Sequence, residues 1–323
     1  MRFAFVLAQK ATIPHALRRI ARRALRPVIS NPPARALLRA VIRHSPPGVA
    51  GWLHRTVAKR VAFPSSSTFR HPLTGAGTVE LLHAGSNNYL YWLGHYEPGT
   101  MQLIRGLAAD ARVIWDVGAN VGTYAVLVSS CIPHIQLWAF EPAPAAAALL
   151  RQQLAINPSL AGRVHLVAAA LGDVDAFQPL YVSGDVSGNS SLLRAFRPTA
   201  EATLVEVMRG DTLVERGVAP APDLIKVDTE ATEPAVLSGM PTILAARRPD
   251  LICEVLRGRC ERQLESILLP LGYRLFQIWP SALREQDHID ISGRRPNLNY
   301  LFSARPLVEL QARAGCTIIR APA

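Results

Sequence analysis

No aspartate or glutamate occurs before Glu80. Residues 1–79 carry 14 lysines and arginines, whereas the rest of the chain holds 21 basic and 24 acidic residues. The formal net charge of +11 is therefore carried by one segment, and the remainder is slightly acidic. Cysteine is scarce: Cys131, Cys253, Cys260 and Cys316 are scattered and form no C-x-x-C pair. That argues against a structural zinc site or a disulfide framework and fits a reducing compartment. No apolar run approaches the roughly 20 residues that span a bilayer. The opening Met1–Ala8 has one charge and a short apolar stretch that breaks at Gln9-Lys10 without a clear cleavage site. It makes a poor signal peptide, and a cytoplasmic location is expected. No internal repeat is visible.

What is present divides in two. At 323 residues with 49% hydrophobic content, the chain can bury a large core and still carry an extension. In residues 14–43, Leu17, Ile20, Ala21, Ala24, Leu25 and Val28 recur at three- and four-residue steps, with Arg18, Arg19, Arg22, Arg23 and Arg26 on the other side. Leu37, Leu38, Val41 and Ile42 repeat the pattern against Arg35, Arg39 and Arg43. Pro32-Pro33 and Pro46-Pro47 separate the pieces. Residues 1–79 thus read as a basic amphipathic helical extension. It can lie peripherally on an anionic membrane surface, at the inner face, or pack its apolar stripe on the rest of the chain. Nucleic acid is the weaker partner, because no aromatic platform is interleaved with the arginines.

From Glu80 the pattern changes to alternating strands and helices. Strands are predicted at 112–117, 135–140, 163–169, 223–228, 250–255, 273–279 and 298–303, and helices at 122–130, 144–156, 232–245 and 260–270. This is an α/β pattern: a doubly wound, mostly parallel seven-stranded sheet, Rossmann-like, covered by helices. Two further strands, Phe177–Val182 and Thr203–Met208, flank the polar loop 183–191. The stretch between 279 and 298 is too short and polar for a full helix, so the last two strands are expected to form a terminal antiparallel hairpin. The domain is bounded at 80–305, and 306–323 reads as a C-terminal tail.

The most informative stretch is Val113–Tyr124. An apolar run ends in Asp116, glycines follow at 118 and 122, and a helix-like segment begins. After the next apolar run, Gln136–Phe140, comes Glu141, placed to grip the two hydroxyls of a ribose. An adenosine cofactor follows from this pair of features. The spacing Gly118-Ala119-Asn120-Val121-Gly122 is not the G-x-G-x-x-G of a dinucleotide site, and Asp116 would repel a pyrophosphate. S-adenosylmethionine has no phosphate and carries a sulfonium and an ammonium, both attracted by Asp116. The glycines allow its methionine part to approach the backbone. Asp116, Glu141, Asp173, Asp228 and Glu254 all fall at or just beyond strand ends, where ligands bind in open α/β sheets.

Several motifs together resemble the FkbM-type methyltransferases: Asp116–Tyr124, Phe140-Glu141-Pro142, Ala170-Leu171-Gly172-Asp173, Ser190-Ser191-Leu192 and Leu224–Glu230, preceded by Gly94–Pro98. The resemblance covers about residues 86–304. It implies a class I methyltransferase fold, S-adenosylmethionine as donor and usually an oxygen acceptor. One position departs from the family pattern: Ala231 stands where a glycine is common after the D-x-E element. On this reading Asp116, Gly118, Asn120 and Gly122 hold the methionine end and Glu141 the ribose. Asp173 lies near the adenine, and Glu97 faces the cofactor amino group.

Methyl transfer to an alcohol needs in-line alignment and a group to take the acceptor proton. Asp228 is the first candidate, Glu230 the alternative base or acceptor clamp, and Glu254 a third. An oxygen-rich cluster around Asp228 would suit Mg²⁺, yet nothing in the spacing requires a metal. Lys226, the only lysine beyond Lys59, can face either the site or a helix layer. His288 reads as a solvated loop histidine. The polar loop 183–191 suits a polyhydroxylated small-molecule or glycan acceptor. Sugar, glycolipid or metabolite O-methylation is the leading expectation. The alternatives are a methyltransferase acting on protein or RNA and a non-catalytic cofactor-binding protein. The absence of a D/N-P-P-Y/F tetrapeptide counts against base methylation.

Overall fold

The computed structural model describes residues 68–73, 77–82, 97–182, 190–193, 201–279, 281–290 and 299–320, together with positions 33 and 37. The expected basic helices at 14–43 and most of the polar loop at 183–191 lie outside the described residues. Thr68–Ala84 and Glu97–Ala323 belong to one compact unit.

Short apolar runs bounded by polar turns form the strands. In chain order the first are β1 (Thr68–Leu73), β2 (Gly77–Leu82), β3 (Val113–Val117), β4 (Gln136–Phe140) and β5 (Val164–Val167). Next come β6 (Ala170–Leu171), β7 (Ala176–Val182), β8 (Glu201–Met208), β9 (Leu224–Val227) and β10 (Asp250–Glu254). The last are β11 (Arg274–Trp279), β12 (Ala282–Gln286), β13 (Asn299–Ser303) and β14 (Thr317–Arg320). The central sheet runs β14-β12-β11-β13-β10-β9-β3-β4-β5. All seven predicted main strands are present, and β10-β9-β3-β4-β5 are parallel. Strand β13 inserts antiparallel between β10 and β11.

The strand count differs from the expected seven. Strand β12 pairs antiparallel with β11, and β14 pairs parallel with β12, giving nine. Strand β14 is the edge and β12 lies next to it; both are short and their residues are mostly half-buried or exposed, so neither carries the apolar run that marks a core strand. The segment expected as a tail, 306–323, contributes a helix and β14 to the domain. The expected boundary at 79/80 also moves. Strands β1 and β2 form a hairpin that belongs to the domain. Asn157 and Gln153 side chains accept from the Glu80 and Leu82 amides at 3.2 and 2.8 Å and bind the hairpin to it.

Among the described residues from 68 onward, the helices are α1 (Pro98–Leu107), α2 (Thr123–Cys131), α3 (Pro144–Ala155) and α4 (Gly210–Glu215), followed by α5 (Glu233–Ser238), α6 (Pro241–Ala246), α7 (Glu261–Leu268) and α8 (Leu307–Ala314). Helix α1 packs on α2 and α8, while α5 packs on α6 and α7. The single helix predicted at 232–245 is two, α5 and α6. Proline at 241 has no N–H to continue the helix and its ring would clash with the preceding turn. A Cβ at Gly239 would lie 1.8 Å from the Gly172 carbonyl oxygen, so the break is also where the chain passes closest to the loop after β6.

Trp115, Phe140, Ile225, Leu251, Leu275 and Phe302 are fully buried in the core. Each such side chain contributes about 1.5–3 kcal/mol of burial. Trp115 meets Phe140 edge-on, with centroids 5.1 Å apart, and its Nε1 donates to the Pro220 carbonyl at 3.1 Å. A separate three-stranded sheet, β6-β8-β7, holds the two predicted insertion strands.

Candidate functional site

After β3 the chain turns to β4 and β5 on one side, while β9 and β10 lie on the other. Ligands bind at such a reversal, beyond the carboxyl ends of the strands. The turn Gly118–Gly122 sits there. Gly118, Asn120 and Gly122 all have positive φ, at 81°, 52° and 80°. A Cβ on Gly118 would lie 1.9 Å from the Asp228 carbonyl oxygen, and one on Gly122 would lie 2.6 Å from Leu150 Cγ. The glycines are thus required both by conformation and by contact.

The turn is tied to the end of β4. The Gly118 and Ala119 amides donate to the Phe140 carbonyl, each at 3.0 Å. The Asn120 amide donates to Glu141 Oε2 at 2.8 Å and the Ala143 amide to Oε1 at 2.8 Å. Burial pushes the Glu141 carboxyl up to about 7, with the two amides opposing it.

Asp116 is 2% exposed, and apart from a weak contact with the Ala125 amide neither of its carboxylate oxygens has a hydrogen-bond partner among the described residues. Burial raises its pKa to about 6, with Lys226 opposing the shift. A buried, unpartnered carboxylate is costly, and such a group marks a place where a ligand supplies the missing interaction. Asp116 lies directly opposite Lys226 across β3 and β9. Both line a small, partly open cavity with Ile104, Tyr124, Val128 and Leu224, with room for about one water.

Lys226, left undecided by sequence, therefore faces the site. Its Nζ lies 3.0 Å from Asp228 Oδ2 and 4.5 Å from the Tyr124 ring centroid. Burial alone would discharge it, but Asp228, Asp116 and Glu97 outweigh that cost and hold it charged. Glu97 caps α1 in the left-handed region at φ 38°. Its Oε2 accepts from the Tyr124 hydroxyl at 2.6 Å and from Asn299 Nδ2 at 2.7 Å. Burial raises its pKa, opposed by Lys226 and Tyr124.

Asp228, Glu230 and Glu254 gather at the carboxyl ends of β9 and β10. Asp228 and Glu254 hydrogen-bond through their side chains, and Glu230 lies close enough to act on Glu254 by charge. Glu230 and Ala231 are both left-handed, at φ 56° and 76°. The Ala231 conformation explains why a glycine is common there. Ser191 Oγ donates to the Glu230 carbonyl at 2.8 Å, which fixes the Ser190-Ser191-Leu192 motif against this turn.

Glu233, which sequence reading missed, holds the turn from the other side. Its Oε1 accepts from the Thr229 amide and hydroxyl at 2.9 and 3.1 Å and from the Ala231 amide at 3.3 Å. It is fully buried at the start of α5. An acid in the first turn after a D-x-E element was the available signal.

Asp173 is exposed on the turn after β6. Its neighbour Asp175 is the acid that this turn uses structurally, accepting from the Arg209 amide and the Thr212 hydroxyl, each at 2.8 Å. His288 is 80% exposed beside Glu265. Among the described residues, no group of three or more His, Cys, Asp or Glu is arranged to hold a metal ion. Among them, too, no helix is long and apolar enough to cross a membrane.

The chain is 31% identical over 150 residues to the hexuronic acid methyltransferase AglP of Haloferax volcanii, covering 45% of this chain and 58% of that protein. It is 28% identical over 213 residues to the 31-O-demethyl-FK506 methyltransferase FkbM of Streptomyces tacrolimicus, covering 57% and 80% of the two chains. The crystal structure of a methyltransferase FkbM from Methylobacillus flagellatus KT matches with a TM-score of 0.41 and 17% identity, over 60% of this chain and 44% of that one. The chain spans less than two thirds of AglP. The methyltransferase FkbM domain matches residues 116–288, more than half of the chain and the whole stretch from Asp116 through Glu254, and the chain belongs to that family.

Proposed function

We propose that the chain is an S-adenosylmethionine-dependent O-methyltransferase acting on a sugar, a glycolipid or another small hydroxylated metabolite. The observation that carries this reading is the charge of the site. Glu97, Asp116, Glu141 and Asp228 converge on the switch point with Lys226 as their cation. The excess negative charge fits a ligand bearing a sulfonium and an ammonium and opposes one bearing a pyrophosphate.

The residues present fit that donor. Asp116 has unpartnered oxygens, and the Asn120 side-chain oxygen is likewise buried without a partner. Asp116, Glu97 and the turn Gly118–Gly122 would hold the methionine end. Each Glu141 oxygen accepts one backbone amide and keeps lone pairs for the ribose hydroxyls. Asp173, exposed nearby in the loop after β6, would meet the adenine. The donor supplies an electrophilic methyl group. The protein supplies alignment, exclusion of water and a carboxylate, Asp228, for the acceptor proton, with Glu230 as clamp.

The oxygen acceptor is supported by the relative named for a 31-O-demethyl substrate, and the sugar by the relative named for hexuronic acid. The cationic segment at 14–43 would bring the protein to an anionic membrane surface at the cytoplasmic face. Calorimetry with S-adenosylmethionine and NAD, followed by a labelled-methyl screen of cell extract, tests the enzyme reading. Binding of NAD without the methyl donor overturns it. Indifference to anionic vesicles at low salt overturns the membrane part alone.

A further inference from the structure

Strands β9 and β10 run side by side, with Val227 opposite Cys253. The next residue on each is an acid, Asp228 and Glu254, and the two side chains hydrogen-bond at the carboxyl edge of the sheet. A hydrogen bond between two carboxyl groups needs a proton on one of them. The surroundings decide which. Burial works against ionising Asp228, but Lys226 at 3.0 Å and the hydrogen bond from Glu254 outweigh it. Glu254 lacks a comparable cation partner, and burial and the Asp228 charge both favour its protonated form. The Asp228 side chain is 26% exposed, so the pair is open to a ligand arriving at the edge.

We infer that Asp228 and Glu254 work as one unit sharing a single proton, and that this unit takes the acceptor's hydroxyl proton as the positive charge of the bound donor disappears. The inference rests on the donor reading above. In the transfer the acceptor oxygen gains the methyl carbon, the C–S electron pair stays on sulfur, and the acceptor O–H bond breaks with its proton passing to the carboxyl pair. Solvent receives that proton on product release. A cation beside the pair favours its fully ionised state, so a bound sulfonium frees the shared proton. Conversion to the neutral sulfide restores the affinity for a proton at the moment one is released. The base is therefore strengthened by the reaction it serves.

Other charges face the pair: Lys226 and Asp116 from β9 and β3, Glu97 from the start of α1, Glu141 from just after β4, Glu233 from α5, and Glu230 from the following turn. S-adenosylmethionine and S-adenosylhomocysteine bear the same ammonium and carboxylate and differ in the sulfonium charge and its methyl. Comparing the two removes the contributions common to both.

The test is titration calorimetry of each ligand at one pH near 8 in buffers of different ionisation enthalpy, which counts protons released on binding. The wild-type protein is expected to release more protons with S-adenosylmethionine than with S-adenosylhomocysteine. Glu254→Gln should still bind both and lose the difference. Equal release by the two ligands in the wild type overturns the inference and leaves the donor reading intact. A difference that persists in a folded Glu254→Gln protein also overturns it. If neither ligand binds, the donor reading falls and the inference with it. The wild-type comparison stands by itself if the variant does not fold.

Discussion

The α-carbon of Gly118 and the carbonyl of Asp228 are so close that a methyl group at 118 would lie 1.9 Å from that oxygen. The turn proposed to hold the donor and the strand end proposed to handle the acceptor proton thus form one packed contact. Gly118→Ala would have to displace the Asp228 backbone and adopt a strained φ. A loss of about 2–4 kcal/mol in stability is expected, with donor binding falling below detection. Urea melts and calorimetry measure the two effects. A variant of wild-type affinity would show that the contact is irrelevant to binding.

Asp116 gives a pH dependence with a defined sign. Burial raises its pKa to about 6, so the folded protein holds the proton more tightly than the unfolded chain. That stability is complete below about pH 4 and is lost as the pH rises through about 6. The ligand-free protein should accordingly be less stable at pH 7.5 than at pH 5 on this account, and Glu141, raised to about 7, acts in the same direction. Binding of a cationic donor should do the opposite and weaken as pH falls below about 6. Denaturant midpoints and dissociation constants across pH 5–8 check both slopes.

Asp116→Asn separates the two roles. Removing the buried charge should stabilise the ligand-free protein at pH 7.5 by up to roughly 3 kcal/mol, the ionisation cost implied by the raised pKa. It should also abolish donor binding. A variant that binds the donor normally would remove Asp116 from the site.

Tyr124→Phe tests the Glu97 anchor. It deletes the 2.6 Å donor to Glu97 and leaves Asn299. Because the acceptor is a buried acid, the expected cost is about 1.5–3 kcal/mol in donor affinity, with the fold retained. An unchanged dissociation constant would place Glu97 outside the cofactor site.

Ala231 occupies a left-handed φ of 76°. A β-branched side chain there combines backbone strain with crowding in a buried turn, so Ala231→Val should lower stability by about 2 kcal/mol or more. Thermal melts would show it, and a neutral result would mean that the turn is not held in this conformation.

The turn after β3 was legible in the sequence because its constraints are local. Glycines at 118 and 122 and acids at strand ends follow from chain direction and from what a turn can accommodate. Lys226 was undecidable for the opposite reason. Which way it points depends on its register with Asp116 on β3, a pairing between residues 110 positions apart in the chain. Glu233 was overlooked because an acid in a first helical turn reads alike whether it faces solvent or reaches back, and only the fold shows it accepting from the Thr229 and Ala231 amides. Strands β12 and β14 were missed because strands at the margin of this sheet bury little apolar surface. They join the sheet through backbone pairing, which leaves no mark on composition.

Strand β3 turns adjacent side chains to opposite faces, Trp115 into the core and Asp116 into the cavity it shares with Lys226. The indole is held edge-on to Phe140 and anchored at Pro220, so its orientation is fixed. A fixed chromophore one residue from a titrating carboxylate senses that carboxylate's electric field. The strand therefore contains its own optical probe: emission from Trp115 should shift as the neighbouring acid gains or loses charge, without any label.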